Sequence, residues 1–262
     1  MPIALITGAS SGLGAEFARQ LAARGASLVL VARRRDRLEA LAASLHEAHG
    51  TVSTVIDLDL GEPDAGPRLL KKVGKTKVTS LINNAGFGDQ QPFADTDLDR
   101  IVAQLRLNVE ALVSVTHAFL PQLSGVLLNV ASNASYQPVP FMAVYGASKA
   151  FVRSFTEALW YEKRESGLRV LALNPGSTKT EFFDVMGSTV AVGGMQQTPE
   201  QVVAAALKRL DRRNPGPSVI PGFMNKVMAV SGRFVPNRVL VNTSGKLMSG
   251  QGTSPARATP SR

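Results

Sequence analysis

Ile3-Ala4-Leu5-Ile6-Thr7-Gly8-Ala9-Ser10-Ser11-Gly12-Leu13-Gly14 is the stretch whose reading decides the fold of this chain. The first four residues form a short apolar run of the kind that makes a buried strand. A glycine-rich turn follows directly. Leu13, Phe17 and Leu21 then recur every four residues, which predicts an amphipathic helix ending near Gly25. Strand, glycine-rich turn and helix in that order form the setting of a phosphate-cradling loop. Glycines let a backbone approach a pyrophosphate closely, and the free N–H groups of a helix N-terminus face an anion. The spacing here is G-x-x-x-G-x-G, at Gly8, Gly12 and Gly14.

The same alternation continues outward. Ser27–Ala32 predicts a second strand, apolar throughout its middle as strands buried on both faces are. A helix from about Arg35 to Ala48 follows, with Leu38, Leu41 and Leu45 on one stripe, and then a strand over Thr51–Ile56. Further strands are expected at Val78–Asn83, Gly125–Val130, Leu168–Leu173 and Ser218–Ile220. A long helical pattern runs from about Leu98 to Leu120, its buried stripe marked by Ile101, Leu105, Leu112 and Phe119. Asn108 falls on that apolar stripe, where a polar amide needs a partner. Thr198-Pro199-Glu200 starts another helix, and a mixed helix is expected around Phe223–Val230. Between them, residues 177–197 hold Phe182, Phe183, Met186 and Met195 among glycines and small polar residues. That composition suits a lid over an apolar substrate, or a short helix packed on the body. The pattern shows no repeat and no linker, so residues 1–248 are expected to form one domain. Gly, Ser, Thr, Pro and Arg dominate residues 249–262, which are expected to be a disordered tail.

Composition excludes several classes of chemistry. The 262 residues contain no cysteine, which removes disulfides and thiolates, and the three scattered histidines predict no metal site. No apolar run approaches a membrane span, and Met1-Pro2 leads straight into the first strand with no basic segment, so a cytoplasmic protein is expected. The net charge is +9, and the cations come in clusters at Arg33–Arg37, Lys71–Lys77 and Lys208–Arg213 without interleaved aromatics. A solvated basic surface, not nucleic-acid binding, is the expectation. The first cluster is the exception. The residue ending the second strand of a dinucleotide-binding fold reads the adenosine ribose: a carboxylate holds the 2′-hydroxyl of NAD, an arginine accepts the 2′-phosphate of NADP. Here Ala32 is followed by Arg33 and Arg34, with no carboxylate to repel a phosphate, so NADP(H) is favoured. Ser11 stands before Gly12 where a basic residue would be the second NADP signal, which keeps NAD(H) as the alternative.

Tyr145-Gly146-Ala147-Ser148-Lys149 sets a phenol and an amine one helical turn apart. A free tyrosine ionises near ~10, and a nearby ammonium would lower that value toward the range of general acid–base work. With this pair the chain resembles the short-chain dehydrogenase/reductase family over about residues 2–235. The resemblance rests on Thr7-Gly8-x-x-x-Gly12-x-Gly14, Asn83-Asn84-Ala85-Gly86, Ser132 thirteen residues before the tyrosine, and Tyr145-x-x-x-Lys149, supported by Pro175-Gly176. It implies a single doubly wound, Rossmann-like α/β domain: a parallel sheet of about seven strands with helices on both faces.

The resemblance also implies roles. Tyr145 would be the proton donor in carbonyl reduction and the acceptor in reverse. Lys149 would lower its pKa and bond the nicotinamide ribose, Ser132 would hold the substrate oxygen, and Asn108 would fix a water relaying protons to Lys149. Gly8, Ser10, Ser11, Gly12, Leu13 and Gly14 would surround the cofactor phosphates, with Arg33 and Arg34 at the ribose. Asp59 and Leu60 would flank the adenine, chosen over Asp57 because Gly61-Glu62-Pro63 reads as a helix start. Asn84, Ala85 and Gly86 would line the adenosine half, and Pro175, Gly176 and Thr178 the nicotinamide. Phe87, Phe141, Phe182, Phe183 and Met186 could line a substrate pocket for a steroid, fatty-acyl, aromatic or simple ketone. The implied activity is hydride transfer between NADP(H) and a carbonyl or secondary alcohol, with a catalytically silent cofactor-binding protein as the rival. A homodimer or homotetramer through the helices holding Asn108 and Tyr145 is expected. Two positions depart from the family: Ala131 where many relatives have Ser, and Ser135 where Gly is common.

Overall fold

A computed structural model describes residues 2–182 and 196–249. Phe183 and Met186, most of the expected lid, and the expected tail from 250 onward lie outside these residues. Seven strands, β1 (Ile3–Thr7), β2 (Ser27–Ala32), β3 (Ser53–Asp57), β4 (Ser80–Asn83), β5 (Val126–Val130), β6 (Arg169–Leu173) and β7 (Ser218–Val219), form one parallel sheet in the order β3-β2-β1-β4-β5-β6-β7. The fold is thus the doubly wound Rossmann-like one. The order reverses between β1 and β4, and a crevice opens at the carboxyl ends of the strands there.

The strands are apolar on both sides because both faces are covered. Ile6, Leu28, Leu30 and Leu171 point to one face, under α1 (Gly12–Ala23), α2 (Arg35–His49) and α7 (Pro199–Leu210). Leu5, Val29, Leu81 and Leu127 point to the other, where α3 (Ala65–Val73), α5 (Leu112–Phe119) and α6 (Ala143–Glu162) pack through Leu69, Phe119 and Leu159. Fully burying one such side chain contributes about 1.5–3 kcal/mol. Two C-terminal helices, α8 (Phe223–Ser231) and α9 (Asn237–Ser249), close the crevice from outside the sheet.

The long helical pattern is not one regular helix. α4 (Leu98–Leu105) passes into a π-helical segment, Arg106–Ala111, before α5 resumes. The buried side chains run Ile101, Gln104, Asn108, Ala111, Leu112, Val115, Thr116 and Phe119, so Leu112 lies inward as expected. Leu105, expected on that stripe, is exposed.

Candidate active site

β1 delivers Thr7 to the switch point. The Thr7 hydroxyl accepts hydrogen bonds from the backbone N–H of Asn84 (3.0 Å) and Ala85 (3.1 Å), joining the ends of β1 and β4. Asn84 Nδ2 donates back to the carbonyls of Thr7 (3.0 Å) and Gly8 (3.1 Å). This amide therefore braces the glycine turn as well as lining the crevice. Gly8 sits at φ +66°, and a Cβ on Gly14 would lie 2.2 Å from the Gly8 carbonyl oxygen. No side chain fits at either position, which is why the turn needs glycine.

Ser10, Ser11, Gly12 and Leu13 follow on the crevice wall, with Ala32, Arg33 and Arg34 beside them. Arg34 crosses the turn, donating to the hydroxyls of Ser10 (3.1 Å) and Ser11 (2.9 Å) and to Glu181 Oε2 (3.1 Å). Arg37 grips the same carboxylate at 2.7 and 2.9 Å. These two guanidiniums, Arg37 first, hold the Glu181 carboxyl below its ordinary pKa. Arg33 is mostly exposed, 3.7 Å from Asp59. Asp59 and Leu60 line the crevice, whereas Asp57 pairs with Arg35 and Lys72 and is absent from its wall.

At the other end β5 runs into Ser132, and α6 presents Tyr145 and Lys149 beside it. Tyr145 and Lys149 are both buried. The phenol is pushed up to about 12 by burial, with a hydrogen bond to the Ser132 side chain pulling it partly back. Burial drives Lys149 down to about 8. Lys149 Nζ donates to the Val130 carbonyl (2.8 Å) and lies 5.8 Å from the Tyr145 ring centroid. The spacing in sequence predicts a lowered phenol pKa; the structure gives a raised one, because desolvation by burial outweighs the hydrogen bond with Ser132.

Asn108 is pinned by its side chain: Oδ1 accepts from the Phe87 N–H (3.1 Å), while Nδ2 donates to the Phe87 carbonyl (2.8 Å) and Ser148 Oγ (3.2 Å). The Ser148 hydroxyl donates on to the Tyr145 carbonyl (2.8 Å). A Cβ on Gly86 would meet both Asn108 Oδ1, at 2.8 Å, and Lys149 Nζ, at 3.4 Å, so the asparagine and lysine face one another across that glycine.

One crevice of about 1120 Å³ contains the glycine turn, the arginines, Ser132, Tyr145 and Lys149, together with Pro175, Gly176 and Thr178. Phe87 and Phe182 line it, the latter with its ring 5.5 Å from Tyr145. Phe141 does not line it. It adopts φ +64°, uncommon for a bulky residue, and packs behind Tyr145 with Met142 and Met248. Ser135 does not shape the crevice either: it is buried and donates to Asn174 Oδ1 (3.1 Å).

Met228, Leu240, Leu247 and Met248 of α8 and α9 complete the apolar wall, as the sequence pattern did not foretell. The available signal was the apolar content of the expected helix around Phe223–Val230, with Met224, Val227 and Met228. A phosphate-bearing dinucleotide fits this donor set: glycine turn, helix N-terminus, serines and arginines at one end, amine and phenol at the other. Two buried oxygens on the same wall, Asn133 Oδ1 and Ser177 Oγ, have no hydrogen-bond partner.

The short chain dehydrogenase family model matches residues 2–191. The chain belongs to the short-chain dehydrogenase family. Among its relatives, a sulfoacetaldehyde reductase of Chromohalobacter salexigens is 41% identical over 200 residues, covering 73% of this chain and 76% of that one. A very-long-chain 3-oxoacyl-CoA reductase of Anas platyrhynchos is 28% identical over 254 residues, 93% of this chain and 80% of that one. Among solved structures, a short-chain dehydrogenase from Sphingobium yanoikuyae in complex with NADPH superposes with a TM-score of 0.80 at 32% identity, covering 98% of this chain and 99% of that one. A bulky-bulky ketone specific alcohol dehydrogenase from Comamonas testosteroni gives 0.76 at 30% identity, covering 99% of each chain. This short-chain dehydrogenase is therefore an NAD(P)-dependent oxidoreductase with no membrane-spanning helix among the described residues.

Proposed function

We propose that the enzyme is an NADP(H)-dependent carbonyl reductase and secondary alcohol dehydrogenase for a bulky, apolar substrate. The observation that carries this is the convergence of Ser132, Tyr145 and Lys149 on one wall of the crevice that begins at the glycine turn and Arg34. Bound there, a nicotinamide cofactor supplies the hydride in reduction and accepts it in oxidation. Gly8 to Leu13 and the N-terminus of α1 would hold its phosphates, and Arg34 with Ser10 and Ser11 its 2′-phosphate.

The chain's own chemistry is proton handling. Ser132 Oγ holds the substrate oxygen and stabilises the charge that develops on it. Tyr145 gives that oxygen its hydroxyl proton, so the carbonyl gains one proton and one hydride and leaves as the alcohol. A phenol raised by burial is fully protonated at neutral pH, which suits the donor role. Lys149, titrating near 8, would resupply the proton, and Asn108, facing it across Gly86, would take part in the relay from solvent.

The bulky apolar substrate follows from the Phe87, Phe182, Met228 and Met248 wall, and is in keeping with the ketone-specific neighbour. A single domain and a cytoplasmic location complete the proposal. Leu98, Leu105 and Phe151, exposed on α4 and α6, support pairing of copies through those helices.

The test is a panel of ketones followed by the absorbance of reduced nicotinamide, with wild type and Tyr145→Phe. The expected loss in kcat is about 10²–10⁴-fold, with cofactor affinity within about twofold. An unchanged rate on every accepted ketone would remove the tyrosine from the chemistry and favour a silent cofactor binder.

A further inference from the structure

Helix α8 is built inside out. Asn225 and Ala229, one turn apart, are its buried residues, while Phe223 (78% exposed), Met224, Val227, Met228 and Val230 face solvent. A surface helix ordinarily turns its apolar stripe inward. Phe234 (85% exposed) and Val239 and Leu247 of α9 are exposed apolar side chains too. An exposed apolar helix face of this kind marks an interaction site.

The charge of this part of the chain is one-sided. After Asp211 the chain has eight Lys or Arg and no Asp or Glu, so nearly all of its net charge of +9 lies in the last fifth of the sequence. Lys226, Arg238 and Lys246, all exposed, stand among the apolar side chains. Met228 and Leu247 belong both to this face and to the crevice wall, which sets the face at the crevice mouth.

We propose that the face formed by α8, Phe234 and α9 docks on the surface of an anionic lipid bilayer. Phenylalanine, methionine and valine side chains enter the boundary between headgroups and acyl chains, and the flanking cations meet lipid phosphates. A second copy of the chain fits less well. A two-fold interface sets a patch against itself, and this one would bring lysine and arginine together with no carboxylate on α8 or α9 to answer them. The docking is peripheral and independent of which cofactor or substrate the crevice takes.

Co-sedimentation of the full chain with vesicles tests it, using phosphatidylcholine alone or with a third of phosphatidylglycerol. Binding is expected to be at least about fivefold greater on the anionic vesicles and to fall as salt is raised. Phe223→Ser with Phe234→Ser should abolish it, and Lys226→Glu with Arg238→Glu should cut it about tenfold. Lys75→Glu with Lys77→Glu, the same charge change on the far loop before β4, should leave it intact. Circular dichroism and cofactor titration establish that each variant is folded. Equal binding to both vesicle types, no binding, or an equal loss in the Lys75/Lys77 variant would overturn the proposal. So would wild type that ignores vesicles while Phe223→Ser with Phe234→Ser turns an oligomer into a monomer, which would assign the face to a second copy.

Discussion

Tyr145 and Lys149 are buried side by side, and burial moves them in opposite directions: the phenol up to about 12, the amine down to about 8. Each shift has a sign in stability. Between about 8 and 10.5 the unfolded lysine binds a proton that the folded one has lost, so stability rises with pH there. Between 10 and about 12 the folded tyrosine keeps a proton the unfolded one has lost, so stability falls. Urea unfolding at pH 7 and 9.5 should show wild type gaining about 2 kcal/mol over this interval relative to Lys149→Met. Comparing the two pH values cancels the lost hydrogen bond to the Val130 carbonyl. The same amine sets the rate profile. Tyr145 stays protonated across this range, so the resupply of its proton governs turnover. Ketone reduction should decline as pH rises through about 8 while alcohol oxidation climbs, and kcat profiles of Lys149→Met should lack the inflection.

At the scale of elements the glycine turn is the least tolerant piece. Gly14→Ala drives a Cβ to 2.2 Å from the Gly8 carbonyl, backbone against backbone, whereas Gly25 at φ +80° has nothing within 4 Å. Thermal melts should therefore show Gly25→Ala costing about 1 kcal/mol and Gly14→Ala costing several times that, with cofactor binding lost. Glu181 holds the arginines a 2′-phosphate would need. Glu181→Gln should accordingly tighten NADPH about fivefold and leave NADH unchanged in fluorescence titrations; a weaker NADPH would make Glu181 an arginine-positioning group instead. Strands, glycine turn and the Tyr145 helix were legible because apolar period and turn chemistry act locally. The π segment was not: Asn108 bonds the Phe87 backbone, twenty-one residues away, and no local period encodes that. Helix α9 escaped notice for a related reason. Its buried residues are Ser244 and Met248, too few to give a stripe.

Across the whole molecule, strand order follows from right-handed crossovers and not from any one segment, yet the active site depends on it. Neighbouring β4 and β5 are tied to the helices by a buried polar ladder. Asn83 Nδ2 donates to Thr116 Oγ1 of α5 and to Asn129 Oδ1 of β5, each at 2.9 Å, and Asn129 Nδ2 donates to Thr156 Oγ1 of α6, also at 2.9 Å. All four side chains are buried. The strand that ends before Ser132 is thereby fastened to the helix that carries Tyr145, so the ladder fixes the distance between them. Asn129→Leu would strip one acceptor from Asn83 and one donor from Thr156, and should cost about 2 kcal/mol in urea unfolding. Thr156→Val should cost about 1–2 kcal/mol, since it leaves a buried Asn129 N–H without its partner. The two changes meet at one hydrogen bond, so the double variant should lose less than the separate losses combined, by about 0.5–1.5 kcal/mol. If the ladder also holds the catalytic geometry, kcat falls in Asn129→Leu while the affinity for cofactor, bound mainly at the far end of the crevice, stays within about twofold. Full additivity in stability with an unchanged kcat would reduce the ladder to three independent contacts.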